Sequence, residues 1–102
     1  MILVRTVMQA KFGRGGELAA LFAETNRQLM EEVGVQGRWR VLTDLSGTFD
    51  TVVLEGEAEN LAEWERVRTA MFQAPSFRES MARSQELIES GRNELYTIEA
   101  EG

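Results

Sequence analysis

Residues 37–58, GRWRVLTDLSGTFDTVVLEGEA, constrain the fold of this chain more than any other stretch. Trp39, Val41 and Thr43 alternate with Arg38, Arg40 and Leu42; beyond Leu45-Ser46-Gly47-Thr48, Val52 and Leu54 alternate with Thr51, Val53 and Glu55. Alternation at period two among Val, Thr, Phe and Trp marks half-buried strands. Asp44, Ser46 and Gly47 supply turn chemistry between them, so the stretch predicts a β-hairpin with a short turn. Whatever surrounds it must cover one face of that hairpin.

The flanks follow in matching order. Residues 2–12 predict a strand, with Val4, Thr6, Met8 and Ala10 on one side and Leu3, Arg5, Val7 and Gln9 on the other. Gly13-Arg14-Gly15-Gly16 ends it. Three glycines in four residues suggest a phosphate cradle, but no Lys-Ser/Thr follows and the GxGxxG spacing is missing, so a strand-to-helix turn is the simpler reading. Residues 17–33 predict a helix, whose Leu18, Leu21, Phe22, Thr25, Leu29 and Val33 form one apolar stripe, with Gly34 as its C-terminal stop. After the hairpin, Asn60 and Glu63 have capping-box spacing, and Leu61, Trp64, Val67, Met71 and Phe72 line the inner side of a second helix. Pro75 interrupts it, Ser76 and Glu79 read as a second capping box, and Phe77, Met81 and Ile88 extend an apolar face to about residue 90, with Gly91 as the stop. Residues 94–99 predict the last strand, Tyr96 and Ile98 sharing a side. The order is βαββαβ with the second helix broken at Pro75: one α+β domain over residues 1–102, ferredoxin-like, with a four-stranded antiparallel sheet.

The inner sheet face then comprises Val4, Met8, Trp39, Val41, Val52, Leu54, Tyr96 and Ile98. The outer face carries Leu3, Arg5, Val7, Gln9, Arg38, Arg40, Thr51, Val53, Glu55, Leu95 and Thr97, too apolar for a free surface and too polar for a dry core. A second copy laid across it would close a two-sheet barrel. Arg5, Val7, Gln9, Arg40, Thr51, Val53 and Glu55 are therefore the expected homodimer interface, with Arg5, Arg40 and Glu55 as ion pairs. Between sheet and helices, Phe22, Trp39, Trp64, Met71, Phe72, Phe77, Met81 and Tyr96 are expected to line an apolar pocket suited to a small apolar or aromatic ligand. A filled core is the plainer account of the same side chains.

Composition narrows the chemistry. The chain has neither cysteine nor histidine, which removes disulfides, thiolate or imidazole metal sites, histidine bases and Ser-His-Asp triads. Carboxylates, Lys11, Tyr96 and bound water remain for acid–base work. A net charge of −6 disfavours nucleic acid as a partner. No apolar run approaches the roughly 18 residues of a membrane-spanning helix, no targeting segment is legible, and the expected location is the cytoplasm. Glu55, Glu57 and Glu59 alternate and would share a strand face, but at a strand end that face is most simply solvated, so no metal and no cofactor is expected.

At this point the chain resembles the dimeric α-β barrel superfamily. Val4-Arg5-Thr6, the Trp39 strand, and Leu61-Ala62-Glu63-Trp64-Glu65-Arg66 leading to Ala74-Pro75-Ser76-Phe77 are similar to NIPSNAP-type proteins. The resemblance implies a homodimer and, for many members, no assigned reaction. Asn60 and Trp64 also have the Asn-x3-Trp spacing of the quinone-forming monooxygenases of the antibiotic-biosynthesis type. That more distant likeness implies a cofactor-free oxidation of an aromatic or polyketide-like substrate, with Asn60, Trp64 and Tyr96 as candidate catalytic residues. Read without it, Asn60 is a helix cap and Trp64 is core. The histidine of the haem-degrading branch is missing here. Two readings stand: a homodimeric small-molecule-binding or assembly module, and a monooxygenase-like enzyme.

Overall fold

The computed structural model describes residues 1–34 and 38–102, so Gly37, where the hairpin stretch opens, lies outside the described residues. The elements are β1 (Ile2–Ala10), α1 (Gly15–Val33), β2 (Trp39–Thr43), β3 (Thr51–Ala58), α2 (Leu61–Gln73), α3 (Pro75–Ser84) and β4 (Ile88–Thr97). All strand pairs are antiparallel and the sheet order is β2-β3-β1-β4. This is the α+β ferredoxin-like arrangement expected from the sequence.

The core lies between the sheet and α1. Met8, Ala10, Leu18, Leu21, Phe22, Val52 and Leu87 form one buried cluster, with Leu18 and Val52 wholly shielded from solvent. Full burial of such a side chain stabilises the fold by about 1.5–3 kcal/mol. The α1 stripe is buried at Leu18, Leu21, Phe22, Thr25 and Leu29, and Gly34 closes the helix in the left-handed conformation, φ 70°. The Thr25 hydroxyl donates to the Leu21 carbonyl and lies 2.7 Å from the Ser80 hydroxyl, a buried polar link from α1 to α3.

The glycine-rich turn is occupied by a carboxylate of the chain itself. Asp50, from the β2–β3 connection, accepts hydrogen bonds from the Gly13 N–H at 2.7 Å and the Gly15 N–H at 3.0 Å. Its backbone carbonyl takes the Ala10 N–H at 2.9 Å. Arg14, at the N-cap position of α1, makes no side-chain capping bond; Asp50 serves the free N–H groups from across the fold. The contact is close enough that a Cβ on Gly15 would lie 2.8 Å from Asp50 Oδ1 and 3.0 Å from its Cα. Asp50 itself has φ 61°, a left-handed conformation that aspartate tolerates better than most residues. With Asp50 committed to these contacts, the hairpin connection runs over residues 44–50, longer than the short turn expected.

Other boundaries also move. β1 ends at Ala10 rather than residue 12, because the Lys11 N–H turns away to the Leu87 carbonyl, 2.8 Å. α1 begins at Gly15, before Glu17, where Asp50 caps it. Asn60 caps α2 as expected, its side chain accepting from the Glu63 N–H at 2.9 Å. Pro75 does not stop a helix so much as start one: it is the first residue of α3, and Ala74 before it is extended, as proline demands of its predecessor. The second capping box does not form, since the Ser76 hydroxyl donates to Glu32 at 2.8 Å instead. α3 ends at Ser84, not near residue 90, and β4 begins at Ile88. Gly91 is not a helix stop but lies inside β4 opposite Met8, where an added Cβ would sit 3.1 Å from Met8 Cγ.

Candidate functional site

Both sheet faces carry candidate sites. On the face away from the helices, a row of charges crosses the four strands. Arg5 on β1 lies 3.3 Å from Glu55 on β3 and 3.3 Å from Glu94 on β4; Arg40 on β2 also pairs with Glu55, and Arg92 with Glu94 at 2.7 Å. The register sets this row, placing Arg5 opposite both Glu55 and Glu94, and Arg40 opposite Glu55. Arg5, Arg40 and Glu55, the ion-pair residues of the expected interface, pair with one another within the chain. Val7, Gln9, Thr51 and Val53 share their face, as the alternation predicted.

Tyr96 also belongs to this row, which corrects its expected place on the helix-facing side. It stands opposite Leu3, and its hydroxyl donates to Glu94 at 2.9 Å. The cause is a bulge where the β1–β4 register shifts between Gln9 and Ala10. Ile88 pairs with Ala10 on the core side, and one extra residue then reverses the alternation for the rest of β4. Leu95, opposite Val4, takes the face expected for Tyr96. Ile98 falls beyond the strand, its N–H bonded to the Met1 carbonyl at 3.1 Å.

Hydrogen bonds from Arg92 and then Tyr96 hold the Glu94 carboxyl below its ordinary value of 4.5. A group whose pKa falls on folding adds stability above its unfolded value and loses it as pH drops through the folded value. Glu94→Gln is therefore expected to destabilise the protein at pH 7 but to narrow the gap to wild type as pH falls below about 4.5. Urea denaturation at pH 7 and pH 3 measures this.

The second site is a groove beneath α2, about 140 Å³ in volume. Val4, Thr6, Leu54 and Gly56 form its floor, Trp39 one side, Asn26, Leu29 and Met30 of α1 another, and Trp64, Val67 and Met71 its roof. Glu57, Glu63 and Arg38 stand among its charged lining. The groove exists because α2 is shallowly seated: none of its residues is fully buried, and Leu61 and Phe72 are among the exposed apolar side chains. Gly56, opposite Trp39, leaves the floor bare, and among the described residues a Cβ there would find only the Arg38 carbonyl, 3.9 Å away.

Of the expected pocket residues, Trp39, Trp64 and Met71 come together here. Phe22 is instead packed in the α1 core. Phe72 and Phe77 stack edge to face at 5.1 Å, with Arg68 over the exposed Phe72 ring and Phe77 half-buried. Met81 is exposed, and Tyr96 lies on the other face. Asn60 is exposed and engaged as a cap. The sequence reading missed Asn26, Met30 and Gly56. Asn26 adjoins the stripe residue Thr25, Met30 adjoins Leu29, and a glycine inside a strand marks close approach or open space.

A larger hollow, about 580 Å³, lies at the end of the sheet beside the β2–β3 connection, lined by Gln9, Asp44, Ser46, Thr48, Ser90 and Arg92 among others. It has no aromatic wall, and Gln9 belongs to the expected interface. The groove under α2 is the better candidate for an apolar ligand.

Comparison with solved structures places the architecture. A NIPSNAP domain protein from Burkholderia xenovorans superposes with a TM-score of 0.82 at 16% identity, over 98% of this chain and 96% of that one. The fold is shared with NIPSNAP domain proteins. A NIPSNAP family protein from Agrobacterium tumefaciens gives 0.80 at 16% identity, over 94% and 90% of the two chains. SnoaB, a cofactor-independent oxygenase from Streptomyces nogalater, gives 0.70 at 14% identity, over 98% and 94%. No protein-family model matches the chain, and no curated protein matches it in sequence. The NIPSNAP-like fold thus carries the resemblance seen in the sequence, and the chemistry must be argued from the residues themselves.

Proposed function

We propose that this chain is a homodimeric small-molecule-binding protein, pairing through the charged sheet face and holding a small apolar or aromatic molecule in the groove beneath α2. The groove carries the reading: two tryptophans and two methionines surround a space floored by Gly56 and roofed by a shallowly seated helix. The dimer is supported by half-buried Leu3 and Leu42 and exposed Tyr96, apolar surface set beside the charge row on the face away from the helices. Pairing there leaves the groove, on the opposite side of the sheet, free for ligand.

The monooxygenase-like reading is second. Trp64 lines the groove in favour of it, but Asn60, its companion in the Asn-x3-Trp spacing, spends its side-chain oxygen on the Glu63 N–H. A volume of 140 Å³ is also well below the roughly 300–1,000 Å³ of sites for larger ligands. A polyketide-like substrate would have to lift α2.

Toluene titration followed by tryptophan fluorescence tests the proposal, with sedimentation equilibrium run alongside. Wild type is expected to sediment as a dimer of the 11.5 kDa chain and to bind toluene saturably. Gly56→Val, which fills the floor of the groove and replaces a strand glycine with a strong strand former, should remain folded and dimeric yet lose at least tenfold in toluene affinity. Unchanged toluene binding by Gly56→Val would remove the groove as the site, and a monomer in sedimentation would remove the interface.

A further inference from the structure

We infer that the groove selects a neutral single-ring compound bearing one hydroxyl or carbonyl group, and that Asn26 is the residue that reads that group. The inference rests on the proposed binding groove and adds the ligand's size, charge and polar contact.

Size follows from volume. An engineered apolar cavity of about 150 Å³ takes up benzene, and the groove measures about 140 Å³. One ring with a small substituent matches that volume without displacing α2.

Charge follows from the lining. Glu55 is committed to Arg5 and Arg40. Glu57, opposite Leu3, belongs to the other sheet face, which leaves Glu63 and Arg38 as the charged pair of opposite sign in the lining. One carboxylate and one guanidinium give no net attraction for an anionic ligand such as a carboxylate, which would lose hydration against the rest of the wall. The remaining wall is Val4, Leu29, Met30, Leu54, Val67 and Met71 with the two tryptophans, and a bare ammonium against it would lose hydration without a buried counter-ion. A neutral molecule meets neither penalty.

The polar contact follows from an unused amide. Other polar side chains near the floor are satisfied: the Thr6 hydroxyl donates to Asn93 at 2.8 Å, and the Trp39 indole N–H points to the Met30 sulfur. Asn26 is half-buried, lines the groove, and makes no hydrogen bond among the described residues. An amide offers both donor and acceptor, so a hydroxyl or carbonyl oxygen on the ring can meet it either way. Asn60, by contrast, has its acceptor occupied in the cap.

Nitrogen-15 NMR titrations with p-cresol, toluene and p-toluate separate these points, because the three share one ring and one methyl group. p-Cresol should bind roughly fivefold or more tightly than toluene, the size of one net hydrogen bond, and p-toluate should give no saturable shift. The Asn26 side-chain amide signals, identified by their loss in Asn26→Leu, should move with p-cresol and stay still with toluene. Asn26→Leu and Asn26→Ala, on a half-exposed helix position where both residues favour helix, should erase the preference for p-cresol over toluene. Equal affinities for p-cresol and toluene in wild type, an unchanged preference in both variants, or p-toluate binding as tightly as p-cresol would each overturn the inference while leaving the groove as a binding site. Failure of toluene itself would remove the groove and the inference together.

Discussion

Asp50→Ala is expected to lower stability by about 3 kcal/mol, which for a chain of this size moves the melting temperature down by about 12–20 °C. Two effects add. The carboxylate accepts from the Gly13 and Gly15 N–H groups, and bonds to a charged acceptor exceed neutral ones. Alanine must also hold φ near 61°, a conformation that costs it roughly 1–2 kcal/mol. Asp50→Gly removes the same carboxylate but relieves the backbone, so it should lose about 1 kcal/mol less than Asp50→Ala. Urea denaturation of the three proteins gives both differences. A loss below 1 kcal/mol for Asp50→Ala would show that the loop does not depend on this carboxylate.

Leu18→Ala should cost still more of the total, about 3–4 kcal/mol, because Leu18 is fully shielded among Met8, Ala10, Val52 and Leu87, where the surroundings cannot collapse into the void. Trp64→Ala, although it deletes a larger side chain, should cost much less, since Trp64 is half-exposed on a helix without one fully buried residue. Comparable losses in the two variants, measured by urea denaturation, would contradict the shallow seating of α2. The contrast matters for ligand entry: local opening draws on the least buried elements, so α2 is expected to part from the sheet before the core around α1.

The sequence was readable where one periodicity runs without interruption. The α1 stripe from Leu18 to Leu29, the alternation in β1, β2 and β3, the Asn60 cap and the break at Pro75 all appear at their expected positions, because each depends on neighbours a few residues away. Reading failed where a distant residue decides. Nothing near Gly15 announces that a carboxylate 35 residues later will cap the helix. The bulge opposite Ala10 reverses β4, so Tyr96 and Leu95 exchange faces, and no local pattern in residues 88–97 encodes a register shift. Part of the candidate site was visible as Trp39, Trp64 and Met71. The rest was obscured because aromatic and methionine residues fill cores, stack on surfaces and line grooves with equal ease. Phe22, Phe72, Phe77 and Met81 show the first two outcomes.

The strand order has one more consequence, for how copies of the molecule can be prevented from polymerising. β2 and β4 are the outer strands, and either could in principle template another chain. β2 is only five residues long and carries Arg40; β4 presents Arg92, Asn93 and Glu94 along its length and is deformed by the bulge at its start. Short length, charge and a kinked margin all hinder an incoming strand from aligning its backbone. Stacking through a sheet face stops after two partners, whereas strand addition at a margin has no natural end. The margins of this sheet are built against fibre growth.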